Sequence, residues 1–145
     1  VLYGKIFLMS LEKNIEIILL EWFELKLKLN NKTKRRSYAE RDVWFIYLGQ
    51  NIGVEEYGKG QDFSRPALIL KKYNRKMCFV VPLSSVIKKS PHYKIFKFKG
   101  KQSSALITQA KTIDSKRLLS YYGKVSNGDY FKIKESFLNS FKEKI

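Results

Sequence analysis

The sequence has 145 residues, of which 44% are hydrophobic and 14% aromatic; this is the length of one domain and too apolar for a disordered basic tail. Its 29 Lys and Arg residues against 13 Asp and Glu give a net charge of +16, which predicts salt-dependent affinity for RNA, DNA or another acidic partner. Residues 1–40 hold 8 basic and 5 acidic residues (+3), and residues 41–145 hold 21 and 8 (+13). The cationic surface therefore belongs mainly to the second part.

Several classes of protein are excluded by what the chain lacks. One cysteine and one histidine allow no disulfide within one chain, no zinc cluster and no ribonuclease built on a histidine pair. No apolar run approaches the ~20 residues of a membrane span, and the opening VLYGKIFL is too short and weakly basic for a signal peptide. Met9-Ser10 resembles a natural start more than Val1 does, and the first eight residues are either a fragment edge or follow an upstream start codon. We expect a reducing, cytoplasmic setting and no contact with a membrane.

The first predicted element is a helix over Ser10–Leu29, capped by Ser10 and ended by Asn30-Asn31. Apolar residues recur at steps of three and four, and Leu19 and Phe23 widen this face; the stripe consists of Leu11, Ile15, Ile18, Trp22, Leu25 and Leu29. Such a face packs on its own domain, on a second subunit or on a partner. Residues 30–40 are polar, basic and without periodicity, which indicates a linker. We therefore divide the chain into a helical extension with linker, residues 1–40, and a domain, residues 41–145.

From residue 41 onward, short apolar runs separated by turn signals predict a mainly β domain, a small barrel. The predicted strands are Val43–Leu48, Ala67–Lys72, Met77–Leu83, Tyr93–Lys99 and Ala105–Thr108, and Thr112–Leu119 suggests a short helix or turn. An amphipathic helix closes the chain over Ser126–Ile145, with Ser126 and Asp129 at its start. Its predicted buried stripe is Tyr130, Ile133, Phe137 and Phe141, widened by Leu138.

The candidate chemistry lies in the loop between the first two predicted strands. This loop is rich in glycine, carries Glu55 and Glu56, and ends in Arg65-Pro66. The fork of Arg65 is suited to two oxygens of a phosphate, and the alternative is a surface arginine paired with a loop carboxylate. Ser84 and Ser85 follow a strand and offer hydroxyls, or they satisfy a turn. His92 is expected to be a surface residue and Cys78 a buried, inert thiol.

Five segments in order resemble the MazF/PemK family of toxin–antitoxin toxins. They are VWFIYLGQNIGVEEYGKG, SRPALIL, FVVPLSS, SALITQAKTIDSKRL and YGKVSNGDYFKIKESFL, which together span about residues 41–141. The resemblance implies an SH3-like small β-barrel with a C-terminal helix, usually a homodimer, with residues 1–40 as an N-terminal helical extension. It also implies an endoribonuclease that cleaves single-stranded mRNA without a metal or other cofactor and is inhibited by a cognate antitoxin. The family's products are a 2′,3′-cyclic phosphate and a 5′-hydroxyl.

The resemblance also assigns residues. Arg65 matches the essential arginine, and Ser84 stands where threonine is usual. Glu55 matches the loop glutamate, which orients the arginine or accepts a proton; a plain ion pair with Arg65 is the alternative. Gln109 and Lys111 match a segment near bound RNA, with Lys111 in place of a common arginine. Ser85, Lys59 and Phe63 complete the predicted RNA-binding set, Phe63 by stacking on a base.

Two other functions stay open at this point. One is a catalytically inactive barrel of the same fold that binds RNA or DNA, and the presence of both Arg65 and Ser84 argues against it. The other is a structural barrel whose charge serves solubility. The match also departs from the usual pattern at Thr108, where some members carry an acidic residue, and in the longer loop before Arg65.

Overall fold

Seven antiparallel strands organise the chain in a computed structural model that describes residues 14–142. The strands are β1 (Asp42–Tyr47), β2 (Ser64–Lys72), β3 (Met77–Ser84), β4 (Tyr93–Phe98), β5 (Lys101–Leu106), β6 (Lys111–Asp114) and β7 (Leu118–Lys124). Two α-helices, α1 (Ile15–Asn30) and α2 (Asn127–Asn139), flank the sheet. Short 3-10 turns at Ile107–Gln109 and Ser115–Arg117 link the last strands.

The sheet runs in the order β4-β5-β3-β2-β1-β7, and β6 also pairs with β3. Strand β3 is long enough to hold two partners on one edge, β6 along Met77–Val80 and β5 at Leu83 and Ser84. Within residues 14–142, β4 and β7 form no ladder with each other. They meet only through side chains, with the Phe98 and Tyr122 rings 5.5 Å apart. The mainly β prediction is therefore confirmed, whereas its closed barrel is not.

Both faces of the sheet are covered, which explains the nearly continuous apolar runs in β2 and β3. Alternate residues point to opposite faces, so Leu68 and Leu70 belong to one core and Ala67 and Ile69 to the other. The first core lies under α2. The second lies under the chain that leads into β1 and includes the buried Cys78.

Helix α2 begins as predicted, because the Ser126 hydroxyl accepts a hydrogen bond from the Asp129 amide at 3.2 Å. Tyr130 and Ile133 are buried, and the Tyr130 hydroxyl donates to the Leu70 carbonyl at 2.7 Å. The predicted extension of the stripe is wrong at its end. The helix stops at Asn139, and Leu138 and Phe141 are 59% and 72% exposed, although the Phe141 ring still lies 5.1 Å from the ring of Phe137.

Helix α1 is capped by Asn14, whose side chain accepts from the Ile17 amide, and ends at Asn30 with Asn31 as its C-cap. The predicted cap Ser10 and the stripe residue Leu11 lie outside the described residues. Trp22 and Leu29 are buried against the domain, but Ile15 is 54% exposed. No helix within residues 14–142 is long and apolar enough to span a bilayer.

The predicted linker is fixed to the domain at several points, and two of them lie near its middle and its end. Arg35 pairs with Asp114 at 3.1 Å, and the buried Tyr38 donates a hydrogen bond to the Met77 carbonyl at 3.0 Å. Two other predictions shift. Strand β5 covers Lys101–Leu106 rather than Ala105–Thr108, and the predicted helix or turn at Thr112–Leu119 contains the end of β6, a 3-10 turn and the start of β7.

Candidate active site

The loop between β1 and β2, residues 48–63, is closed at its neck by backbone hydrogen bonds. The amides of Leu48 and Gly49 both donate to the Phe63 carbonyl, at 2.9 and 3.0 Å, and the Gly58 amide donates to the Gly49 carbonyl at 2.8 Å. Gly58 is required here, because a Cβ would lie 1.8 Å from the Phe63 carbonyl oxygen. Phe63 itself has a left-handed φ of +46°, an uncommon conformation for a bulky residue. The neck therefore holds the loop in a defined shape directly before Arg65.

Arg65, on β2, is buried, with only 9% of its surface exposed. Its Nε donates to the Tyr57 carbonyl at 2.9 Å, and its Nη1 donates to the Leu83 carbonyl at 3.2 Å. Its Nη2 lies 2.7 Å from a carboxylate oxygen of Glu56. The guanidinium thus joins the loop to the end of β3. These contacts take three of the five N–H donors of an arginine.

The carboxylate that orients Arg65 is Glu56, whereas the sequence matched Glu55 to that role. The Glu55 side chain instead accepts a hydrogen bond from the Ile52 amide at 3.0 Å, at the exposed tip of the loop. The loop turns between the two residues, so Glu56 faces inward and Glu55 faces a neighbouring cleft. The predicted ion pair between Arg65 and Glu55 is therefore wrong in its partner, and a catalytic role of Glu55 stays a prediction.

That neighbouring cleft, of about 370 Å³, brings together Glu55, Gln109 and Lys111. The side-chain amide of Gln109 forms two hydrogen bonds with the loop backbone. Its oxygen accepts from the main-chain N–H of Glu56 at 3.0 Å, and its nitrogen donates to the Val54 carbonyl at 2.9 Å. Burial, and then Arg117, lower the pKa of Lys111, while Glu55 opposes this shift. Gln109 thus holds the loop next to a half-buried lysine.

Ser84 and Ser85 lie at the end of β3, directly after the carbonyl of Leu83 that holds Arg65. The Ser84 hydroxyl accepts from the Val86 amide at 3.1 Å, which leaves its own O–H free to donate. Both serines line an open cleft of about 400 Å³ together with Lys99 and Lys101. The two hydroxyls therefore lie on the β3 side of Arg65 and the carboxylates on its loop side.

Phe63 and Lys59 lie on the side of the loop that faces α1. Phe63 is only 7% exposed, and its ring packs 5.7 Å from the ring of Trp22. The prediction that Phe63 stacks on a base is therefore wrong in this structure, because α1 covers the ring. Lys59 is exposed in a groove of about 740 Å³ that also contains Glu21 and Glu24 of α1.

Two residues at the site were not predicted. Trp22 packs against Gly49, where a Cβ would lie 2.4 Å from the indole ring. Arg117 lies over the same indole, 5.6 Å from the ring, and donates to the Tyr47 carbonyl at 3.0 Å. The position of Trp22 on the apolar face of the first helix indicated that its side chain is packed against another part of the protein. Nothing in the sequence indicated that this part is the loop between β1 and β2.

Comparisons with known proteins agree with this geometry. A family model described as PemK-like, MazF-like toxin of type II toxin–antitoxin system matches residues 39–141. A comparison with curated proteins finds no match.

Solved structures share the fold at low sequence identity. An endoribonuclease in complex with its cognate antitoxin, from a mycobacterial species, is 14% identical with a TM-score of 0.57, over 74% of this chain and 100% of that one. MazF (Form-I) from Deinococcus radiodurans is 20% identical with a TM-score of 0.57, over 74% and 96%. Toxin MazF-mt6 from Mycobacterium tuberculosis is 17% identical with a TM-score of 0.53, over 70% and 96%.

Proposed function

The chain belongs to the PemK-like, MazF-like toxins of type II toxin–antitoxin systems, and we propose that it is an endoribonuclease that cleaves single-stranded mRNA. The observation that carries the proposal is Arg65. A buried arginine held by Glu56, the Tyr57 carbonyl and the Leu83 carbonyl is positioned before any substrate arrives. Preorganised cationic donors are what a reaction with developing negative charge on phosphate oxygens requires.

In the proposed reaction the ribose 2′-hydroxyl attacks the adjacent phosphorus. The new O–P bond closes a 2′,3′-cyclic phosphate while the bond to the 5′-oxygen breaks. The 2′-hydroxyl proton passes to a base, for which we propose the exposed carboxylate of Glu55, and the leaving 5′-oxygen gains a proton. Ser84 hydrogen-bonds the phosphate or relays this proton, since its O–H is available to donate. No metal takes part in this scheme.

In this scheme Arg65 stabilises the phosphate of the substrate. In the free protein the carboxylate of Glu56 occupies the position of that phosphate beside Arg65. Arg65 is 9% exposed and paired with a carboxylate, so in this scheme a phosphate reaches the guanidinium when Glu56 withdraws from it. Substrate binding thereby exchanges one anion for another without leaving a buried positive charge unpaired. This exchange accounts for a buried ion pair at the centre of a site for an anionic substrate.

The cleft of Glu55, Gln109 and Lys111 extends the site on the loop side. We propose that Lys111 and Gln109 contact RNA there, that Ser85 does so beside Ser84, and that Lys59 does so in the groove beside α1. The net charge of +16 attracts RNA in a salt-dependent manner. Phe63 is left out of this set because it is buried under Trp22.

We further propose the partners that go with this function. One solved structure of the same fold is an endoribonuclease in complex with its cognate antitoxin. We infer that this chain acts as a homodimer in the cytoplasm and is inhibited by an antitoxin of its own. An acidic segment that folds on binding is suited to a surface this basic.

The test is incubation of the purified protein with a long single-stranded RNA in EDTA, followed by identification of the new ends. Discrete cuts with cyclic phosphate and 5′-hydroxyl ends are expected, and Arg65→Ala is expected to lower the rate by about 10²–10³. Arg75→Ala is the matched control, because Arg75 is exposed in the turn between β2 and β3. Intact RNA that is still bound tightly would favour the catalytically inactive, RNA-binding alternative. Products with 5′-phosphate ends, or cleavage only with added metal, would overturn the mechanism.

A further inference from the structure

Helix α1 has a second apolar face that the domain does not cover, which we call the outer face. Its members are between 42% and 64% exposed: Ile15, Leu19, Leu20, Phe23 and Leu27. They lie beside the buried stripe that includes Trp22 and Leu29, so the helix is apolar around much of its circumference. A helix of this kind requires a second partner besides the domain on which it already packs.

We propose that a second copy of this chain covers the outer face, with the two α1 helices antiparallel about a twofold axis at position 21. In such a pair, residues whose numbers add up to 42 lie opposite each other. The pairs are then Ile15 with Leu27 and Leu19 with Phe23, all exposed apolar residues. Glu16 lies opposite Lys26 by the same rule, and both are exposed. The outer face therefore places apolar residues opposite apolar residues and a negative charge opposite a positive charge, as a twofold interface requires.

The charge of the chain favours a second copy at this place. Within Ile15–Asn30, 3 Glu and 2 Lys give a net charge of −1, whereas residues 31–145, with 25 basic and 9 acidic residues, give +16. Two copies repel each other across most of the surface but not across α1. An acidic partner, by contrast, is better matched to the basic remainder than to a face that begins with Glu16.

A cleft beside α1 offers a place for the second copy's side chains. It measures about 390 Å³ and is lined by Phe23, Leu27 and Lys26 together with the 3-10 turn residues Lys116 and Arg117. In the antiparallel pairing, Ile15 of the second copy lies over Leu27 and extends toward this cleft. Its Glu16 then meets Lys26 and Lys116 at the rim of the cleft, where the carboxylate of Asp114 is already paired with Arg35.

This interface is separate from the proposed nuclease site. It uses residues that precede the segment matched by the family model, 39–141, and it does not depend on RNA cleavage. Self-association through the sheet domain, if present, is compatible with this interface. Pairing of α1 then strengthens that dimer or joins two such dimers.

Sedimentation velocity of the full chain across a range of concentrations tests the proposal by charge exchange. Glu16→Lys and Lys26→Glu each place like charges opposite each other, and each is expected to weaken the association at least about tenfold. The double variant Glu16→Lys/Lys26→Glu restores the opposition and is expected to return to within about threefold of the natural chain. Glu135→Lys, at an exposed position on α2, controls for the altered net charge. Single variants without effect, or a double variant as weak as the singles, would overturn the proposal.

Cysteine pairing tests the register independently of affinity. The natural Cys78 is fully buried, so disulfides report on introduced thiols. A mixture of Leu19→Cys and Phe23→Cys proteins is expected to form a mixed disulfide dimer, whereas neither protein alone does so efficiently. A dimer of Leu19→Cys with itself would indicate parallel helices and overturn the antiparallel arrangement. No mixed disulfide would mean that the face is covered by another protein or by residues 1–13 of the same chain, and the proposal fails.

Discussion

The two helices of this protein differ in what they pack against. Helix α2 places Tyr130 and Ile133 in the main core of the sheet, where they join residues from β1 to β5. Helix α1 places Trp22 and Leu29 in a small cluster of its own, whose remaining buried member is Phe63 of the site loop. One helix therefore belongs to the scaffold and the other to the candidate active site.

The difference shows that an added helix can affect a site without contributing a reacting group. Trp22 rests on Gly49 and Phe63, the two residues joined at the neck of the loop. From that neck the loop runs to Glu56 and Tyr57, which hold Arg65. We therefore expect the order of the loop to depend on α1 and the order of the sheet to depend on α2.

The largest expected effect is on stability, from Ile133→Ala in α2. Ile133 is fully buried, and removal of a buried isoleucine side chain costs about 2–5 kcal/mol of the free energy of unfolding. Leu138→Ala on the same helix is the control, because Leu138 is 59% exposed and is expected to change the free energy by about 0.5 kcal/mol or less. Denaturant unfolding measures both. Equal losses would show that α2 does not pack through Ile133.

Trp22→Ala in α1 is expected to cost less stability, about 1–3 kcal/mol, and to loosen the loop. Amide hydrogen exchange of Leu48 and Gly49, which both donate to the Phe63 carbonyl, is expected to accelerate about tenfold relative to amides in β3. Phe131→Ala on α2 controls for loss of an exposed aromatic ring, since Phe131 is 61% exposed and lies outside the proposed α1 interface. Unchanged exchange in Trp22→Ala would break the distinction between the two helices.

Within the site, Glu56→Gln is expected to tighten binding of an RNA with 2′-O-methyl riboses, which cannot undergo attack by the 2′-hydroxyl. The variant removes the anion that occupies Arg65, so a phosphate meets no competitor. Glu55→Gln removes the same negative charge without freeing Arg65. It therefore controls for the effect of net charge on RNA binding. An excess of about tenfold, or ~1.4 kcal/mol, of Glu56→Gln over Glu55→Gln is the expected result. Equal tightening would contradict the exchange of anions.

The last expected effect is absent at neutral pH, because it is confined to alkaline pH and to the scaffold. Burial raises the pKa of the Cys78 thiol from 9.0 to about 11. Between those values the unfolded chain loses this proton and the folded chain keeps it, so the free energy of unfolding falls as pH rises from about 9 to 11. Cys78→Ala is expected to flatten this part of the profile and to reduce, without removing, the slope from Tyr38, whose pKa is raised to about 12 by burial and then by Cys78. If Cys78→Ala and the natural chain lose stability equally between pH 9 and 11, the raised pKa of Cys78 is contradicted.

Most of the sheet was predictable because its strands carry a strong local signal. The runs in β2 and β3 are buried on both faces, so their apolar residues are nearly continuous and bounded by clear turns. Strand β7 was missed for the opposite reason. It forms an edge of the sheet, and its exposed Tyr121 and Tyr122 give no alternation that separates a strand from a loop.

The site was predictable in its composition but not in its contacts. Arg65 and Ser84 stand at fixed ends of strands, and a motif therefore locates them. Glu55 and Glu56 are neighbours in a loop, and the turn at Ile52–Glu55 decides which carboxylate faces inward. Phe63 was misplaced because its cover comes from Trp22, 41 positions earlier in the chain. A contact of that sequence separation leaves no local pattern.

The hydrogen bonds from Gln109 to the loop bear on which substitutions the loop tolerates. Both of its hydrogen bonds go to main-chain atoms, the Val54 carbonyl and the Glu56 amide. Any residue other than proline at position 56, and any residue at position 54, offers the same atoms. Val54 itself is 93% exposed and is therefore open to replacement. The anchoring of the loop therefore does not depend on the side chains at its tip, so substitutions there can change the chemistry that the loop presents while the anchor persists.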